Sequence, residues 1–306
     1  MSVVLFSGQG SQYVGMANDI FSNSDVAKDL INSADDILGY NLSKIMFEGP
    51  SEKLRETRYT QVAIFLHSAV LFELLKTKIE VLAAAGHSVG ELSALYSSGV
   101  IGFEDAIKLV STRGELMYKA GLEKPGTMFA IIGLADENID DICAKLNDPK
   151  NGNILVPANY NSPGQVVISG SRDYLKNSVE KFKDSGARIV KELQVSGAFH
   201  SPLLESARDE FSQLLDTISF KDASFPIYTN VDAESETDSQ LLKDKLKLQL
   251  VSPVKWSQSL VAMKDSGISN FIELGPGKVL QGLVKRTLSD VSISGYDKYS
   301  DIEKIS

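Results

Sequence analysis

The chain has little cysteine and histidine, with a single cysteine, Cys143, and three histidines among 306 residues. One cysteine excludes an internal disulfide and is typical of proteins in a reducing compartment. Because no pair of these residues has helical ligand spacing, we expect no dedicated zinc site. Cys143 lies in a segment with helical periodicity, so we interpret it as a packing residue.

Long apolar runs and an excess of positive charge are also missing. No stretch of about 18 uncharged apolar residues occurs, and residues 1–7 lack the basic start and long apolar segment of a signal peptide. We therefore expect a cytoplasmic protein without a membrane partner. The chain has 31 basic and 40 acidic side chains, a net charge of −9, which argues against a nucleic-acid partner.

What is present is typical of a folded α/β protein. Hydrophobic residues make up 43% of the chain and charged residues 23%, and the length suits one large domain with a smaller one. Strands at 3–6 and 81–85, with helices at 26–38, 61–76, 91–98 and 104–117 around them, predict a core with a parallel sheet. Predicted strands at 226–230 and 270–273 should return to this sheet, and 232–238 is interpreted as an acidic surface loop.

Between residues 126 and 195 the pattern changes to strand, helix, strand, strand, helix, strand. This is the order of a ferredoxin-like domain, with residues 161–164 as the turn between the middle strands. We interpret the segment as an inserted domain, which divides the chain into a core of residues 1–125 and 196–306 and an insert of residues 126–195.

Ser88 lies between two glycines in the sequence Gly86-His87-Ser88-Val89-Gly90. The apolar run 81–85 precedes it and the predicted helix 91–98 follows. Strand, sharp turn and helix in this order are typical of a nucleophile elbow, where the serine hydroxyl is exposed and the helix N-terminus faces a developing oxyanion. The pattern predicts acyl transfer through a serine ester, although a short glycine-flanked serine motif also occurs in ordinary turns.

A serine nucleophile needs a base, and the chain offers His67, His87 and His200. His67 lies in an apolar helix and is interpreted as a packed core residue. His87 neighbours Ser88 on a tight turn, where adjacent side chains diverge, so it should brace the turn. His200 lies in a glycine-containing loop before a helix and is the remaining candidate.

Two polar residues lie on faces that should be buried. Arg113 shares a helical stripe with Ala106, Val110 and Met117, so it either holds a substrate carboxylate with its planar fork or forms an ion pair with a core carboxylate. Gln249 shares an apolar face with neighbouring leucines. Its amide either bonds the imidazole of the base and fixes its tautomer, or is satisfied by backbone groups.

Five motifs are spaced along the chain: Gly8-Gln9-Gly10-Ser11-Gln12, Gly86 to Glu91, Thr112-Arg113-Gly114, Gly197-Ala198-Phe199-His200-Ser201, and Gln249 near Pro253-Val254-Lys255-Trp256. Together, in the right order and over nearly the whole chain, they resemble the malonyl-CoA:acyl-carrier-protein transacylases. The resemblance implies an α/β-hydrolase-like core that contains a ferredoxin-like insert, in agreement with the pattern above.

The resemblance implies a role for each catalytic position. Ser88 is the nucleophile and His200 is the general base and acid. Gln249 orients His200 through its carbonyl oxygen, and the backbone N–H groups of Gln9 and Val89 form the oxyanion hole.

The substrate positions follow in the same way. Arg113 holds the malonyl carboxylate, with Met117 on the same helix face, and Gln61 and Asn161 match polar positions that line the active-site region. Phe199 before His200 resembles the malonyl-selective pattern, in which a bulky ring crowds the α-carbon.

The implied enzyme transfers malonyl from malonyl-CoA to the phosphopantetheine thiol of an acyl carrier protein, for fatty-acid synthesis. It acts as a monomer without a tightly bound cofactor or metal. The alternatives are a stand-alone malonyltransferase for a polyketide assembly line, a serine thioesterase or esterase, and a carrier-binding module without activity. One departure is Ser7, where the family usually has proline; we expect it to loosen the loop that enters the oxyanion hole, with a small effect on rate.

Overall fold

Two β-sheets organise the chain in the computed structural model, which describes residues 1–305. None of the helices within these residues combines the length and the apolar character needed to cross a bilayer. The strands are β1 (Ser2–Phe6), β2 (Val81–Gly86), β3 (Gly126–Ile132), β4 (Leu155–Ser162), β5 (Gln165–Ser171), β6 (Ile189–Glu192), β7 (Ile227–Tyr228), β8 (Ser235–Glu236), β9 (Asn270–Leu274) and β10 (Ser292–Tyr296). The helices are α1 (Asn18–Asn23), α2 (Asp25–Leu38), α3 (Leu42–Glu48), α4 (Ser51–Leu54), α5 (Thr57–Leu75), α6 (Gly90–Ser97), α7 (Phe103–Glu123), α8 (Asp136–Leu146), α9 (Arg172–Asp184), α10 (Glu205–Thr217), α11 (Ser239–Gln249), α12 (Trp256–Asp265), α13 (Val279–Thr287) and α14 (Tyr299–Ile302).

The first sheet has six strands in the order β10-β9-β1-β2-β7-β8. All its neighbouring strands pair in parallel except β7 and β8, which pair antiparallel. Strand β1 is buried on both faces: Val4 and Phe6 pack in the core that contains α5, whereas Val3 and Leu5 pack against α12 and α13. A strand covered on both faces is a continuous apolar run, which is why residues 3–6 read as one. The prediction of an α/β fold with a parallel sheet is confirmed, and the strands predicted near 226 and 270 do join it.

The carboxyl ends of three neighbouring strands meet at one edge of this sheet. Strand β1 runs into the loop at Gly8-Gln9-Gly10, β2 into the turn at Ser88, and β7 into Thr229 and Asn230. In sheets of parallel strands, ligands bind outside this edge. The two sequence motifs that contain Gln9 and Ser88 are therefore neighbours in the fold.

The second sheet contains β3, β4, β5 and β6 in the order β4-β5-β3-β6, with every pair antiparallel. Helices α8 and α9 pack on it through a core of their own, in which Cys143 is buried. The sheet joins the rest of the chain where Tyr160 N–H donates to Val254 O (2.9 Å) and Val254 N–H donates to Ala158 O (2.8 Å). Strand β4 extends to Ser162, so the predicted turn at 161–164 is wrong at its first two positions. Ser162 pairs with Gln165 of β5, and Asn161 lies in the strand where the pairing register shifts.

Four further segments differ from the sequence-based expectations. Helix α7 continues to Glu123 rather than ending at residue 117, and Gly114 within it packs against the backbone of Thr57 and Arg58 at the start of α5. The predicted acidic loop at 232–238 contains strand β8, and two of its carboxylates, those of Asp232 and Glu236, are paired with Lys245. The periodicity of α12 and the short strand β10 were not recognised in the sequence.

Candidate active site

Ser88 lies on a sharp turn between β2 and α6, in the left-handed region with φ 52°. The two glycines make this turn possible: a Cβ on Gly86 would clash with the main chain of Gly90, and one on Gly90 with the carbonyl of Phe6. Left-handed backbone is unusual for a residue other than glycine and clusters at active sites. The turn therefore has the strand, elbow and helix arrangement that the sequence predicted.

The imidazole of His200 lies against the Ser88 hydroxyl, with Nε2 2.8 Å from Oγ. On the other side of the ring, Nδ1 lies 2.9 Å from Gln249 O and 3.2 Å from Ser252 O. Because both partners of Nδ1 are carbonyl oxygens, Nδ1 holds the ring proton and Nε2 is free to accept one. The Ser88 hydroxyl thus donates to a base in the correct tautomer.

Arg113 is fully buried below this pair. Its Nη1 donates to Gln61 Oε1 (2.6 Å), and its Nη2 donates to Gln249 Oε1 (2.9 Å) and to Ser88 Oγ (3.2 Å). Within residues 1–305 no carboxylate pairs with the guanidinium, and its Nε has no partner. The alternative in which Arg113 forms an ion pair with a core carboxylate is therefore wrong, because amide oxygens occupy those places.

Burial and neighbouring charge set the protonation states in the site. Burial lowers the pKa of Arg113 to about 10, opposed by the carboxylate of Glu91, so the guanidinium is charged at neutral pH. Burial and the charge of Arg113 lower the pKa of His200 to about 3, which keeps the imidazole neutral. Burial raises the pKa of Glu91 to about 7. The site thus combines a neutral base with an unpaired buried cation.

Two backbone N–H groups beside Ser88 have no acceptor among residues 1–305, those of Gln9 and Val89. Val89 directly precedes α6, and the Gln9 loop packs on the elbow because Gly8 has no side chain to meet His87. The Gln9 side chain donates to Thr57 Oγ1 (3.3 Å), which holds the loop to α5. Unpaired N–H groups of this kind are the donors that an oxyanion needs.

A small cavity opens above Ser88 and His200. Its volume is about 90 Å³. Its wall consists of Gln9, His87, Ser88, Met117, Met128, Asn159, Leu193, Val195, Phe199 and His200.

Five predicted site residues lie outside the cavity wall: Val89, Arg113, Gln61, Gln249 and Asn161. Gln61 and Gln249 are buried behind it, where their amide oxygens hold Arg113. Asn161 lies one layer further out and bonds His87 Nε2 through its Oδ1 (2.8 Å). Neither Gln61 nor Asn161 lines the cavity itself: Gln61 bonds Arg113, and Asn161 bonds His87. Their part in substrate binding stays a prediction.

Gln249 contacts His200 through its main-chain carbonyl. The alternative in which its side-chain amide bonds the imidazole is wrong: Oε1 accepts from Arg113, and Nε2 donates to Ser88 O (3.1 Å). An amide can make both bonds at once because one end accepts and the other donates.

The other two histidines lie where the sequence predicted. His67 is fully buried in α5, and its Nε2 lies 2.8 Å from Asp297 O. It therefore bonds Asp297 and not Ser88. His87 packs on Trp256 with ring centroids 5.5 Å apart and bonds Asn161, so it braces the turn.

Ser7 is fully buried and donates to Glu273 Oε1 (3.1 Å). This bond anchors the start of the glycine loop. The effect of Ser7 on rate stays a prediction.

Sequence reasoning missed several residues of the site. Met128, Leu193 and Val195 reach the cavity from the second sheet and the segment after it, which no local pattern predicts. Asn159, in β4, also lines it. Asn230 was placed at the end of a predicted strand but not singled out, although a polar residue at the carboxyl end of a buried parallel strand is a recognisable signal.

Comparison with known proteins identifies relatives over nearly the whole chain. Residues 3–303 match the family model described as an acyl transferase domain. A malonyl CoA-acyl carrier protein transacylase of Staphylococcus aureus is 40% identical over 302 residues, which are 99% of this chain and 97% of the relative.

Solved structures of relatives match this chain over nearly its full length. The acyl carrier protein S-malonyltransferase of Vibrio cholerae has a TM-score of 0.94 at 38% identity, with 99% of both chains covered. A malonyl-transacylase that was solved in complex with a type II PKS acyl-carrier protein has a TM-score of 0.94 at 36% identity, covering 99% of this chain and 98% of that one. Full-length coverage means that the similarity includes both sheets and the site between them.

Proposed function

Because the chain belongs to the malonyl-CoA:acyl-carrier-protein transacylase family, we propose that it transfers malonyl from malonyl-CoA to the phosphopantetheine thiol of an acyl carrier protein. The observation that most favours this function is Arg113, a buried cation without a carboxylate partner that donates to Ser88 Oγ at 3.2 Å. A buried guanidinium fork is suited to a carboxylate. A guanidinium in this position favours a substrate whose acyl group itself carries a carboxylate.

The first half of the reaction forms a malonyl ester on Ser88. His200 Nε2 takes the hydroxyl proton as Ser88 Oγ attacks the thioester carbonyl. The N–H groups of Gln9 and Val89 hold the oxyanion of the tetrahedral intermediate, each contributing about 3 kcal/mol in comparable sites. The C–S bond then breaks, the proton passes from His200 to sulfur, and CoA leaves as the thiol.

The second half reverses these roles with a new thiol. His200 removes the proton of the phosphopantetheine thiol, whose sulfur attacks the ester carbonyl. The same N–H groups hold the second oxyanion, the C–O bond breaks, and the proton returns to Ser88 Oγ. The mechanism is therefore ping-pong.

Arg113 selects the acyl group in this account. The two amide oxygens of Gln61 and Gln249 fix its plane, and Met117 supports Gln61, whose Nε2 lies 3.2 Å from the Met117 sulfur. Phe199 closes the cavity beside the α-carbon. An uncharged acyl group would leave the guanidinium without an anion, at a cost in rate.

We also propose that residues 1–125 and 196–306 form an α/β-hydrolase-like core, and that residues 126–195 form a ferredoxin-like insert. Residue 306 lies outside the described residues. The separate apolar core beneath the second sheet supports this division.

The acceptor is an acyl carrier protein of fatty-acid synthesis, and malonyl-CoA is a substrate rather than a resident cofactor. A polyketide carrier protein as acceptor is tested by comparing transfer rates to the two carriers.

Intact-protein mass after brief incubation with malonyl-CoA tests this function. We expect the chain to gain one malonyl group, and we expect no gain with Ser88→Ala or with acetyl-CoA. Steady release of CoA without an adduct would indicate a hydrolase. Neither adduct nor release would leave a carrier-binding protein without activity.

The pH profile of Ser88 acylation tests the state of the base. Because the pKa of His200 is lowered to about 3, its neutral form persists as the pH falls through the usual histidine range near 6.5. We expect kcat/KM for malonyl-CoA to show no loss from His200 protonation between about pH 7 and about pH 5. Glu91, with its pKa of about 7, is the group that can titrate in this window.

The control for this profile is Glu91→Gln, which removes that titration and keeps the side-chain shape. A decrease near neutral pH that disappears in Glu91→Gln belongs to Glu91. A decrease centred near pH 6.5 that persists in the variant would contradict the lowered pKa of His200.

A further inference from the structure

Asn230 lies directly behind the nucleophile elbow, 1% exposed and two residues beyond β7. Its Nδ2 donates to Gly86 O and its Oδ1 accepts from Ser88 N–H, both at 2.8 Å. The orientation of the amide is unambiguous because one partner is a carbonyl and the other an N–H. One side chain thus bridges the turn from the end of β2 to the nucleophile.

The main chain of Asn230 is bonded on both sides as well. Its N–H donates to Glu91 Oε2 (2.7 Å), and its carbonyl accepts from Lys255 N–H (2.9 Å). Lys255 ends the segment 249–255, whose carbonyls at Gln249 and Ser252 bond the imidazole of His200. Asn230 therefore connects the support of the nucleophile with the support of the base.

The bond to Ser88 N–H has two consequences. It holds a residue in the left-handed region, at φ 52°, where a non-glycine residue persists only when its surroundings fix it. It also occupies the N–H of Ser88, so this donor does not compete with those of Gln9 and Val89 for an oxyanion.

We infer that Asn230 is a positioning residue that keeps Ser88 Oγ within hydrogen-bonding distance of His200. The inference rests on the proposed function of Ser88. Asn230 does not belong to the cavity wall, so it acts through Ser88 and not on the substrate. Its loss should slow the chemical step and leave substrate binding unchanged.

The test compares Asn230→Ala and Asn230→Asp with Thr229→Val. Asn230→Asp keeps the size and the acceptor but loses the donor to Gly86. Thr229 is the matched control because it is the chain neighbour, equally buried, and bonds Asp232 and Glu234 instead of the elbow. The measurements are the single-turnover rate of Ser88 malonylation, the KM for malonyl-CoA and the melting temperature of each variant.

We expect Asn230→Ala to lower the single-turnover rate at least about tenfold, since small misplacements of reacting groups are costly. KM should change by less than about threefold, and Thr229→Val should keep the wild-type rate. If Asn230→Ala does not fold, a slowed and folded Asn230→Asp supports the inference in its place.

Three results would overturn the inference alone: a wild-type rate in a folded Asn230 variant, a raised KM with an unchanged rate, or equal slowing in Thr229→Val, which leaves the elbow bonds intact. A wild-type chain that forms no malonyl ester would overturn the proposed function, and this inference with it.

Discussion

Replacing His200 with alanine lowers the rate of Ser88 malonylation by a factor on the order of 10³ or more. The reason is the proton: Ser88 Oγ lies 2.8 Å from His200 Nε2, and its other side-chain neighbour is the guanidinium of Arg113, which holds no lone pair for a proton. The oxyanion donors are main-chain groups and survive the substitution. The residual rate should therefore remain above that of the uncatalysed thioester.

His87→Gln is the matched control for this loss. His87 is the direct neighbour of Ser88 and lines the same cavity, but its Nε2 bonds Asn161 and not the nucleophile. A glutamine amide can still reach that partner, so we expect a change of no more than about tenfold. Equal losses in the two variants, measured as single-turnover rates, would contradict the assignment of His200 as the base.

Replacing Arg113 with alanine abolishes the preference for malonyl over acetyl. A buried ion pair that loses one partner costs about 2–5 kcal/mol, so kcat/KM for malonyl-CoA should fall by a factor of about 30 to about 5,000. Acetyl-CoA has no carboxylate to lose, and its slow reaction should change far less. The ratio of the two kcat/KM values measures this effect directly and cancels any general loss of folded protein.

Arg113→Lys separates charge from geometry. Lysine keeps the charge but not the planar fork that spans Gln61 and Gln249, so we expect an intermediate loss. We further propose that the pair between Arg113 and malonyl orients and shields the ester against water. If Arg113→Ala changed neither malonyl loading nor hydrolysis of the ester, both roles of Arg113 would be wrong.

The sequence predicted the parts of the site that depend on local backbone. The elbow at Ser88 requires two glycines because its turn brings the chain against itself, and that requirement is visible as Gly86 and Gly90. Arg113 was recognisable because a charge on an apolar helix face must have a partner. The parallel sheet followed from short apolar runs that alternate with helices.

Contacts between distant segments could not be predicted in this way. The sequence marks Gln249 as buried, but it does not show that its side chain turns to Arg113 while its carbonyl meets His200. The cavity wall from the second sheet depends on how two sheets pack, as does the bond between Asn161 and His87. Asn230 reaches the N–H of Ser88 only because β7 lies beside β2 in the sheet.

In the proposed reaction, a malonyl ester on Ser88 passes to a carrier-protein thiol faster than to water. To test this, the malonylated chain is isolated, CoA is removed and phosphopantetheinylated acyl carrier protein is added, while the masses of both proteins are followed. We expect malonyl to leave Ser88 and to appear on the carrier protein in equal amount, and we expect the ester to persist when only buffer is added. Loss of the ester at the same rate with and without the carrier, with free malonate as the product, would contradict it.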